Sequence, residues 1–375
     1  MTRKKKIEEP TPQFYSLDRI HEVARKKNAK YIMVFGQRSN GKTFAVKKEM
    51  LLNFWNNKKQ SAYIRRYKED VTGYRAETLF DDISGLGLVH EITGGRWDGV
   101  KYRARKWYLC RHNEDGDVEE TSEDPFCYGF ALSENEHDKS RSLPKITLIC
   151  FDEFLSRSGY LPDEFVLFMN TLSTIIRTRS DVTIYMLGNT INKYCPYFKE
   201  MGLKHAKDLK ISSIESYSYG NSDLTVVVEH ADIAPATKRS THYFAFDNPK
   251  LSMITGGEWE LDIYPHAPYK FTAEHIKYKF YICFEDYIIE GNIVYKEGDT
   301  FLFYHEKTTP LKNLKTDLVY QLEPSPKPNV FQSIKKNYNP ICHKIGLLMS
   351  AGRAFYQNND VGEVVHNYLL ACDNI

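Results

Sequence analysis

The stretch from Gly36 to Thr43 constrains the fold of this chain more than any other part of its sequence. It reads GQRSNGKT and fits the pattern G-x-x-x-x-G-K-[ST]. A short apolar run that contains Ile32 and Val34 precedes it, and residues 44–55 behind it repeat apolar side chains at helical spacing. A strand, a glycine-rich loop and a helix in this order surround a phosphate with backbone N–H groups and the positive end of the helix dipole. The sequence therefore predicts a phosphate-binding loop at the end of a buried parallel strand.

Particular roles follow from the chemistry of the loop. We expect Lys42 to reach the β- and γ-phosphates of a nucleotide and the Thr43 hydroxyl to bind Mg²⁺. The other loop residues are expected to surround the phosphates; they are Gly36, Gln37, Arg38, Ser39, Asn40 and Gly41. The expected cofactors are ATP and Mg²⁺. The alternative, a glycine-rich turn that carries a lysine by chance, is less consistent with the flanking strand and helix.

A second apolar run, KITLICFDEF over residues 145–154, ends in adjacent acids. It predicts another buried strand with Asp152 and Glu153 at its carboxyl end, the end at which open α/β sheets bind ligands. Asp152 is then placed to hold Mg²⁺, and Glu153 to orient and deprotonate an attacking water. A glutamate at this position indicates a nucleotide hydrolase rather than a kinase. Taken alone, a strand that ends in two solvated acids would be the simpler interpretation.

The segment after this strand adds three candidate residues. The run DVTIYMLGNT predicts a third strand, and Asn189 near its end is a candidate sensor of the γ-phosphate; an Asn-containing turn is the alternative. Between the two strands, an apolar helix is expected to begin near Asp163 and to end before Arg177 and Arg179. These arginines either complement the helix dipole or reach the γ-phosphate on a neighbouring subunit, and the sequence leaves both open.

Composition limits the class of protein. The chain has 375 residues, long enough for two domains, and a net charge of only +2. Residues 1–70, however, hold 18 Lys and Arg against 7 Asp and Glu. A basic end indicates an acidic partner such as nucleic acid, although the opening MTRKKK serves equally well as a solubilising tail. No apolar run approaches the roughly 18 residues of a membrane span, and the basic start lacks the apolar segment of a secretory signal.

The seven cysteines are scattered and form no C-x-x-C pair. This spacing indicates reduced thiols rather than a disulfide framework or a zinc site. Elsewhere, GVKYRARKWYLCRH and PFCYGFALS are each expected to form a strand, and the acidic run NEDGDVEETSED between them an exposed loop. Phe14 or Tyr15 is expected to pack near the adenine of a bound nucleotide.

Together these segments resemble the double-stranded-DNA packaging ATPases of small short-tailed phages with protein-primed genomes. The matching pieces are YSLDRI, GQRSNGKT, YIRRYKED, CFDEF, IIRTRSDV and GNTINKYCPYF, in this order over residues 15–200. The tail NYNPICHKIGLLMSAGRAFYQNNDVGEVVHNYLL resembles the paired helices that end these proteins. Such motors are additional-strand-catalytic-glutamate P-loop NTPases, related to FtsK/HerA translocases and large terminases. Residues 215–330 match only loosely.

The resemblance implies roles for further residues. Arg177 lies where the family has its trans-acting arginine, with Arg179 as the near alternative, and Arg38 matches an arginine of the family's phosphate loop. Lys68 lies where the family has a basic residue at the subunit interface; by itself it would be a solvated charge beside two acids.

The resemblance also implies the partners. Lys139 and Arg141 lie in a polar loop that would face the central channel of a ring and contact double-stranded DNA. Without the ring, two basic residues in such a loop would simply face solvent. The implied assembly is a homo-oligomeric ring of five, bound to the phage portal or connector and to a packaging RNA.

The expected organisation has three parts. Residues 1–204 form an α/β P-loop NTPase domain with a mainly parallel sheet, residues 205–230 a linker region, and residues 231–375 a smaller α+β domain that ends in helices. Related large terminases carry an RNase-H-like nuclease in this last part. The acidic residues near its strands do not compose a two-metal site; they are Glu285, Asp286, Glu290 and Asp299. We therefore expect a nuclease-like fold without nuclease activity that contacts DNA, portal or RNA.

The function expected from these features is ATP-driven translocation of double-stranded DNA into a viral procapsid. The main alternative is a helicase or recombination ATPase, which would separate the strands of a forked substrate. A nucleotide-regulated switch is a second alternative, and it would bind nucleotide tightly, turn it over negligibly and ignore DNA. The expected site of action is the host cytoplasm at the procapsid vertex, away from membranes.

Overall fold

The computed structural model divides the chain into two compact units, Met1–Glu260 and Leu261–Ile375. It describes residues 14–134, 142–157, 159–190, 192, 194–220, 222–231, 264–311, 316–336 and 338–373. Within these ranges no helix has the length and apolar character needed to span a membrane. No disulfide joins any of the seven cysteines, all of which lie in the described ranges.

The first unit alternates strands and helices. Its strands are β1 (Tyr31–Gly36), β2 (Gln60–Arg65), β3 (Gly99–Arg103), β4 (Lys106–His112), β5 (Val118–Thr121), β6 (Cys127–Ala131), β7 (Ile146–Asp152), β8 (Thr183–Asn189), β9 (Ser213–Ser218) and β10 (Thr225–His230). Its α-helices are α1 (Asp18–Lys27), α2 (Lys42–Asn57), α3 (Gly73–Glu77), α4 (Asp81–Gly85), α5 (Leu88–Ile92), α6 (Glu164–Ile176) and α7 (Pro196–Glu200).

These strands form one sheet in the order β3-β4-β6-β2-β7-β8-β1-β10-β9, with β5 paired to β4. From β6 to β10 every neighbouring pair is parallel, and antiparallel strands extend both edges. The arrangement confirms the expected α/β fold with a mainly parallel sheet. β8 lies between the strand that leads into the phosphate loop and the strand that ends in Asp152.

Apolar side chains cover both faces of this sheet. Along β1, Met33 and Phe35 pack into one core with α6 and α7. Ile32 and Val34 pack into a second core with α1 to α5. A strand buried on both faces needs apolar residues at successive positions, which is why this run is continuous rather than alternating.

The linker expected over residues 205–230 is wrong. The segment contains β9 and β10, and β10 pairs in parallel with β1 from Tyr31 opposite Val226 to Phe35 opposite His230. Every residue of β10 is buried. Its run TVVVEH is short and rich in β-branched residues, as buried strands are, so the first unit continues well beyond residue 204.

Two expectations around the edge of the sheet also need correction. GVKYRARKWYLCRH, expected to be one strand, folds into the hairpin β3-β4. Its turn residues Ala104 and Arg105 have φ of 51° and 59°, a conformation that usually selects Asn–Gly, so the sequence carries no turn signal here. The acidic run NEDGDVEETSED, expected to be a loop, contains β5, which pairs with β4.

The second unit is a sheet with two helices. Its elements are β11 (Ile276–Phe284), β12 (Tyr287–Lys296), β13 (Asp299–Glu306), β14 (Leu318–Tyr320), β15 (Val330–Phe331), α8 (Pro340–Ser350), β16 (Ala354–Tyr356) and α9 (Asn359–Cys372). The strand order is β15-β14-β11-β12-β13-β16. β11 to β13 form an antiparallel meander, β14 runs parallel to β11, and α9 packs on the meander. The kinship of this α+β unit to nucleases stays a prediction.

Candidate active site

The phosphate loop joins the end of β1 to the first turn of α2 and closes over its own lysine. Gly41 precedes α2 with φ of 96°, and a Cβ there would lie 3.1 Å from the Cβ of Phe14, so this turn requires glycine. The Lys42 ammonium donates hydrogen bonds to the carbonyls of Gln37 at 2.7 Å and Gly36 at 3.3 Å. The oxygens of a bound phosphate would compete with these carbonyls for the same charge.

Burial also changes the acidity of this lysine. Lys42 is only 5% exposed, and its removal from water lowers its pKa to about 7, with the nearby Asp152 carboxylate acting in the opposite direction. A phosphate placed beside the ammonium would favour the charged form. Binding of an anion and protonation of Lys42 are therefore linked.

Asp152 ends β7 beside the loop, where the sequence predicted a metal ligand. The Thr43 hydroxyl donates to its carboxylate at 3.1 Å and the Tyr63 hydroxyl at 2.6 Å. A hydroxyl and a carboxylate that converge on one point are the oxygen ligands that Mg²⁺ prefers. Thr43 and Asp152 thus fit the divalent cation that the fold implies, and Tyr63 fixes the orientation of the carboxylate.

Glu153 follows β7 in a tight turn with φ of 62°. Its side chain is 55% exposed and accepts a hydrogen bond from Arg65 Nη2 at 2.6 Å. The residue borders two cavities: one of about 300 Å³ that contains the phosphate loop, and one of about 430 Å³ that is lined by Arg65 and Arg66. The candidate base therefore lies at the predicted site while its carboxylate is bound to an arginine of the second cavity.

Asn189 completes the site from β8. The register of the parallel strands places Gly36 opposite Asn189. The Asn189 side-chain oxygen accepts from Lys42 Nζ at 3.3 Å and lines the same cavity. The ends of β1, β7 and β8 thus bring together the predicted lysine, acid pair and asparagine, whose individual roles stay predictions.

Part of the cavity lining is apolar. Phe14, Phe44 and Leu86 line it, and the rings of Phe14 and Phe44 are 6.4 Å apart. Phe14 and Tyr15 were both expected near the adenine of a bound nucleotide, and of the two Phe14 lines the cavity. Tyr15 instead donates its hydroxyl to the buried Glu229 at 2.6 Å.

The two arginines after α6 have different surroundings. Arg179 donates hydrogen bonds to four backbone carbonyls, those of Leu143, Pro144, Ile146 and Ile175. Arg177 ends the helix with φ of 55° and ψ of −119°, and its side chain is exposed. Arg179 is therefore bound within its own chain, whereas Arg177 lies at the surface.

The remaining predicted site residues are peripheral or undescribed. Arg38 is exposed on the phosphate loop. Lys68 is half-exposed and forms an ion pair at 2.7 Å with Glu134, so it is not simply a solvated charge. Lys139 and Arg141, like the basic residues of the opening MTRKKK, lie outside the described residues.

Sequence reasoning missed a buried ion pair behind the candidate base. Arg66 donates to both carboxylate oxygens of Glu164 at 2.7 and 2.9 Å, and to the carbonyls of Glu153 at 3.1 Å and Phe154 at 3.0 Å. The Tyr197 hydroxyl donates to Glu164 at 2.8 Å. Because breaking a buried pair leaves an uncompensated charge, this network fixes the turn of Glu153 to the start of α6. Two adjacent arginines at a strand end, in YIRRYKED, were the available signal.

The acidic residues weighed as nuclease ligands in the second unit do not meet. Glu290 pairs with Lys279 at 2.8 Å, and Asp299 pairs with Arg353. The other two form the turn between β11 and β12. In the described part of this unit no three potential metal ligands converge.

Comparison with known proteins agrees with the geometry. A family model described as podovirus DNA encapsidation protein (Gp16) matches residues 14–216. The DNA packaging protein of Bacillus phage B103 is 30% identical over 173 residues, which cover 45% of this chain and 47% of that protein. The match to such curated relatives thus spans about half of their length.

Two solved structures share the fold over nearly the whole chain. The bacteriophage Phi-29 viral genome packaging motor assembly has a TM-score of 0.54 at 17% identity and covers 96% of this chain and 100% of that one. The Phi-28 gp11 DNA packaging motor has a TM-score of 0.50 at 18% identity, with 96% and 98% covered. The family match includes more than half of the 375 residues and contains β1, β7 and β8 with their loop and acid pair. The chain therefore belongs to the podovirus DNA encapsidation protein (Gp16) family.

Proposed function

We propose that this chain is an ATPase that uses ATP hydrolysis to move double-stranded DNA into a viral procapsid. The observation that carries the proposal is the convergence of Lys42, Asp152 and Glu153 on one cavity at the carboxyl ends of parallel strands. Family membership supports the choice of DNA packaging among the activities that such a site serves.

The chemistry divides among the residues of the cavity. The loop N–H groups and Lys42 bind the β- and γ-phosphates, and Asn189, through its contact with the lysine, responds to the γ-phosphate. Thr43 and Asp152 would hold Mg²⁺, which neutralises charge on the phosphates during transfer. Glu153 orients and deprotonates the attacking water, and for this its carboxylate must turn from Arg65 towards the nucleotide.

A second subunit completes the reaction. Arg177 reaches the γ-phosphate of its neighbour, and its exposure supports this role. The bonds of Arg179 to four carbonyls of its own chain favour Arg177 over Arg179 for this role. Lys68 lies at the same boundary between subunits, and Arg38 acts from the phosphate loop. The ring is a homo-oligomer, with five subunits by resemblance to the family.

The nucleic acid lies in the channel of this ring. Lys139 and Arg141 contact its phosphates, in the loop that follows Glu134. The second unit binds DNA, the portal or a packaging RNA and has no nuclease activity. The motor works in the host cytoplasm, at the procapsid vertex.

The direct test measures the ATPase rate with and without duplex DNA, together with the mass of the oligomer that hydrolyses. We expect an oligomer whose turnover duplex DNA stimulates and the substitution Glu153→Gln abolishes. Tight nucleotide binding with negligible turnover and no response to DNA would indicate a switch. Strand separation on a forked substrate would indicate a helicase.

A further inference from the structure

The hairpin β3-β4 carries a surface that the nucleotide site does not use. Residues opposite each other on antiparallel strands point to the same face of the sheet. Lys101 lies opposite Tyr108, Arg103 opposite Lys106, and Lys106 also opposite Tyr128 on β6. These five residues therefore share one face, which we call the basic hairpin face.

This face is basic and aromatic. Residues 99–112 contain five Lys and Arg and no Asp or Glu. The Arg103 guanidinium lies 5.2 Å from the centre of the Tyr108 ring, and the Lys106 ammonium 5.8 Å from that of Tyr128. Lys101 and Arg103 are exposed and Lys106 is half-buried. None of the three cations forms an ion pair with a carboxylate in the described ranges of the chain.

The opposite face of the hairpin has another character. Tyr102 and Trp107 donate hydrogen bonds to backbone carbonyls of the core beneath them. Arg111, which points to this side, is neutralised by Glu119 at 3.1 Å and Glu120 at 3.4 Å. One face thus anchors the hairpin to the unit and balances its charges, while the other presents unbalanced positive charge on a fixed ribbon.

A simpler explanation is available for part of this pattern. β3 is the edge of the sheet, and charges on an edge strand prevent pairing with another chain. Positive or negative charges on either face of the strand would prevent such pairing equally well. Protection of the edge therefore does not explain why the cations of the basic hairpin face are interleaved with aromatic rings. Asp98 is an acid that also reaches this face, but its carboxylate is bound to His112 at 2.6 Å and not to Lys101, Arg103 or Lys106.

The spacing of the cations suits a polyanion. Lys101 and Arg103 are two residues apart on an extended strand, about 6.6 Å along its axis, with Lys106 beside them on the paired strand. Duplex DNA carries one negative charge per roughly 1.7 Å of its axis, so a row of cations meets phosphates at any register. A two-stranded ribbon is also an element that fits against a DNA groove.

We propose that the basic hairpin face binds the phosphate backbone of double-stranded DNA; the choice of DNA rests on the proposed function. The position of the hairpin supports this assignment. Arg105 lies in the β3-β4 turn and forms an ion pair with Glu134, which also pairs with Lys68. Glu134 directly precedes the segment that contains Lys139 and Arg141, so the turn of the hairpin contacts the residue next to the segment expected to bind DNA.

The test compares two triple variants with the same change in charge. Lys101→Ala, Arg103→Ala and Lys106→Ala remove the cations of the face. The control combines Arg96→Ala, Arg111→Ala and Lys145→Ala, three cations that are already paired with carboxylates. Duplex affinity is measured against salt concentration in the full-length oligomer. We expect the slope of log affinity against log salt to flatten in the first variant, by up to about one per lost phosphate contact, and to change much less in the control.

Basal ATPase without DNA should be unchanged in both variants, since neither set touches the phosphate loop. An unchanged slope in the first variant, or an equal change in the control, would overturn the proposal. The proposal would also be overturned if the first variant lost affinity only for duplex RNA of equal length, a result that would assign the face to RNA. If even the wild-type chain neither binds duplex DNA nor hydrolyses ATP faster in its presence, the proposed function itself fails.

A second measurement needs no variant and covers the case in which the triple variant does not fold. Lysines of the wild-type oligomer are acetylated with and without duplex DNA and read by mass spectrometry. We expect DNA to protect Lys101 and Lys106 and to leave Lys145 unprotected. If saturating DNA changed the acetylation of Lys101 and Lys106 no more than that of Lys145, the assignment would be contradicted.

Discussion

The Arg65 guanidinium donates a hydrogen bond to the Glu153 carboxylate at 2.6 Å. Glu153 is the residue expected to activate water, but Arg65 lines a cavity other than the one that contains the phosphate loop. Arg65 therefore competes with the reaction for the same carboxylate. Tyr63 lies two residues before Arg65 on the same strand, and its hydroxyl donates a hydrogen bond to Asp152. β2 therefore contacts both acids of the pair.

Replacing Arg65 with Ala should release Glu153 and raise the ATPase rate in the absence of DNA. The Glu153 side chain of this ion pair is 55% exposed, so water screens the pair and it is worth about 1 kcal/mol, or about fivefold in rate. The stimulation by duplex DNA should shrink accordingly. Arg75→Ala is the matched control, because Arg75 pairs with the neighbouring Asp70 at 2.7 Å and does not contact Glu153. A lower basal rate in Arg65→Ala would mean that Arg65 positions the base instead of restraining it.

Substitution of Tyr63 by Phe should weaken the response to Mg²⁺. The hydroxyl that donates to Asp152 at 2.6 Å is lost while the ring and its packing remain. Loss of a partner behind a metal ligand costs about 10–100-fold in metal affinity. A Mg²⁺ titration of the ATPase rate should show this shift, with little change in the maximal rate. Tyr185→Phe, which removes a buried hydroxyl bonded to His21, should leave the titration as in the wild type; an equal shift there would remove Asp152 from the explanation.

The stability of the nucleotide-free protein should depend on pH through Lys42. Its folded-state pKa is about 7, well below the value of about 10.4 in an unfolded chain. Between these values the unfolded state binds the extra proton, so the free energy of unfolding rises with pH by up to about 1.4 kcal/mol per pH unit. Below pH 7 the buried charge destabilises the fold in full.

Lys42→Met should therefore be more stable than the wild type at pH 6, and its advantage should narrow towards pH 9. Denaturant unfolding at both pH values measures the difference, and Lys48→Met, at an exposed position of the same helix, is the control. A pH-independent difference for Lys42→Met would show that the lysine is not buried as described. Lys42→Ala should also weaken nucleotide binding directly, since it removes a phosphate contact.

Much of this site is readable from the sequence because its parts are local. The loop, the acid pair after β7 and Asn189 after β8 each follow a short apolar run, and parallel strands bring their carboxyl ends to one edge. The contacts of Arg65 and Arg66 are different. They join residues nearly a hundred positions apart, and they depend on β2 lying next to β7, which no local pattern specifies.

The wrong predictions of a linker over residues 205–230 and of a single strand over residues 99–112 have physical causes as well. β9 is polar and half-exposed, so its sequence resembles that of a loop. It is the edge strand of the sheet and pairs with β10. β10 is short and buried, and only its pairing with β1 shows that it belongs to the nucleotide-binding unit. The β3-β4 turn is formed by Ala104 and Arg105 in a conformation that these residues rarely adopt, and the surrounding sheet imposes it.

The two arginines after α6 should separate by experiment as they do by structure. Arg177→Ala should leave the unfolding temperature unchanged and reduce turnover by up to about 10³–10⁵-fold, the value of an arginine finger. Arg179→Ala should instead destabilise the fold by about 1–3 kcal/mol, because the partly buried carbonyls of Leu143, Ile146 and Ile175 lose a donor. Thermal unfolding and ATPase rates of both variants decide between them.

Mixing subunits tests whether Arg177 acts across the boundary. An Arg177→Ala subunit keeps an intact pocket, and a Glu153→Gln subunit keeps an intact arginine. Mixed oligomers should recover part of the ATPase activity at interfaces that pair a good pocket with a good arginine. No recovery, in mixtures shown by mass to co-assemble, would assign Arg177 a role within its own chain.

The most direct test of the account asks whether the oligomer moves along intact duplex DNA. A third strand bound to one end of a long duplex as a triple helix is displaced by a motor that travels along the duplex, and its release can be followed by fluorescence. With ATP and Mg²⁺ the wild-type chain should release the third strand while the duplex stays paired, and the Glu153→Gln variant should bind ATP but release nothing. Release by Glu153→Gln at the wild-type rate, or unwinding of the duplex itself by the wild type, would contradict ATP-driven translocation of double-stranded DNA.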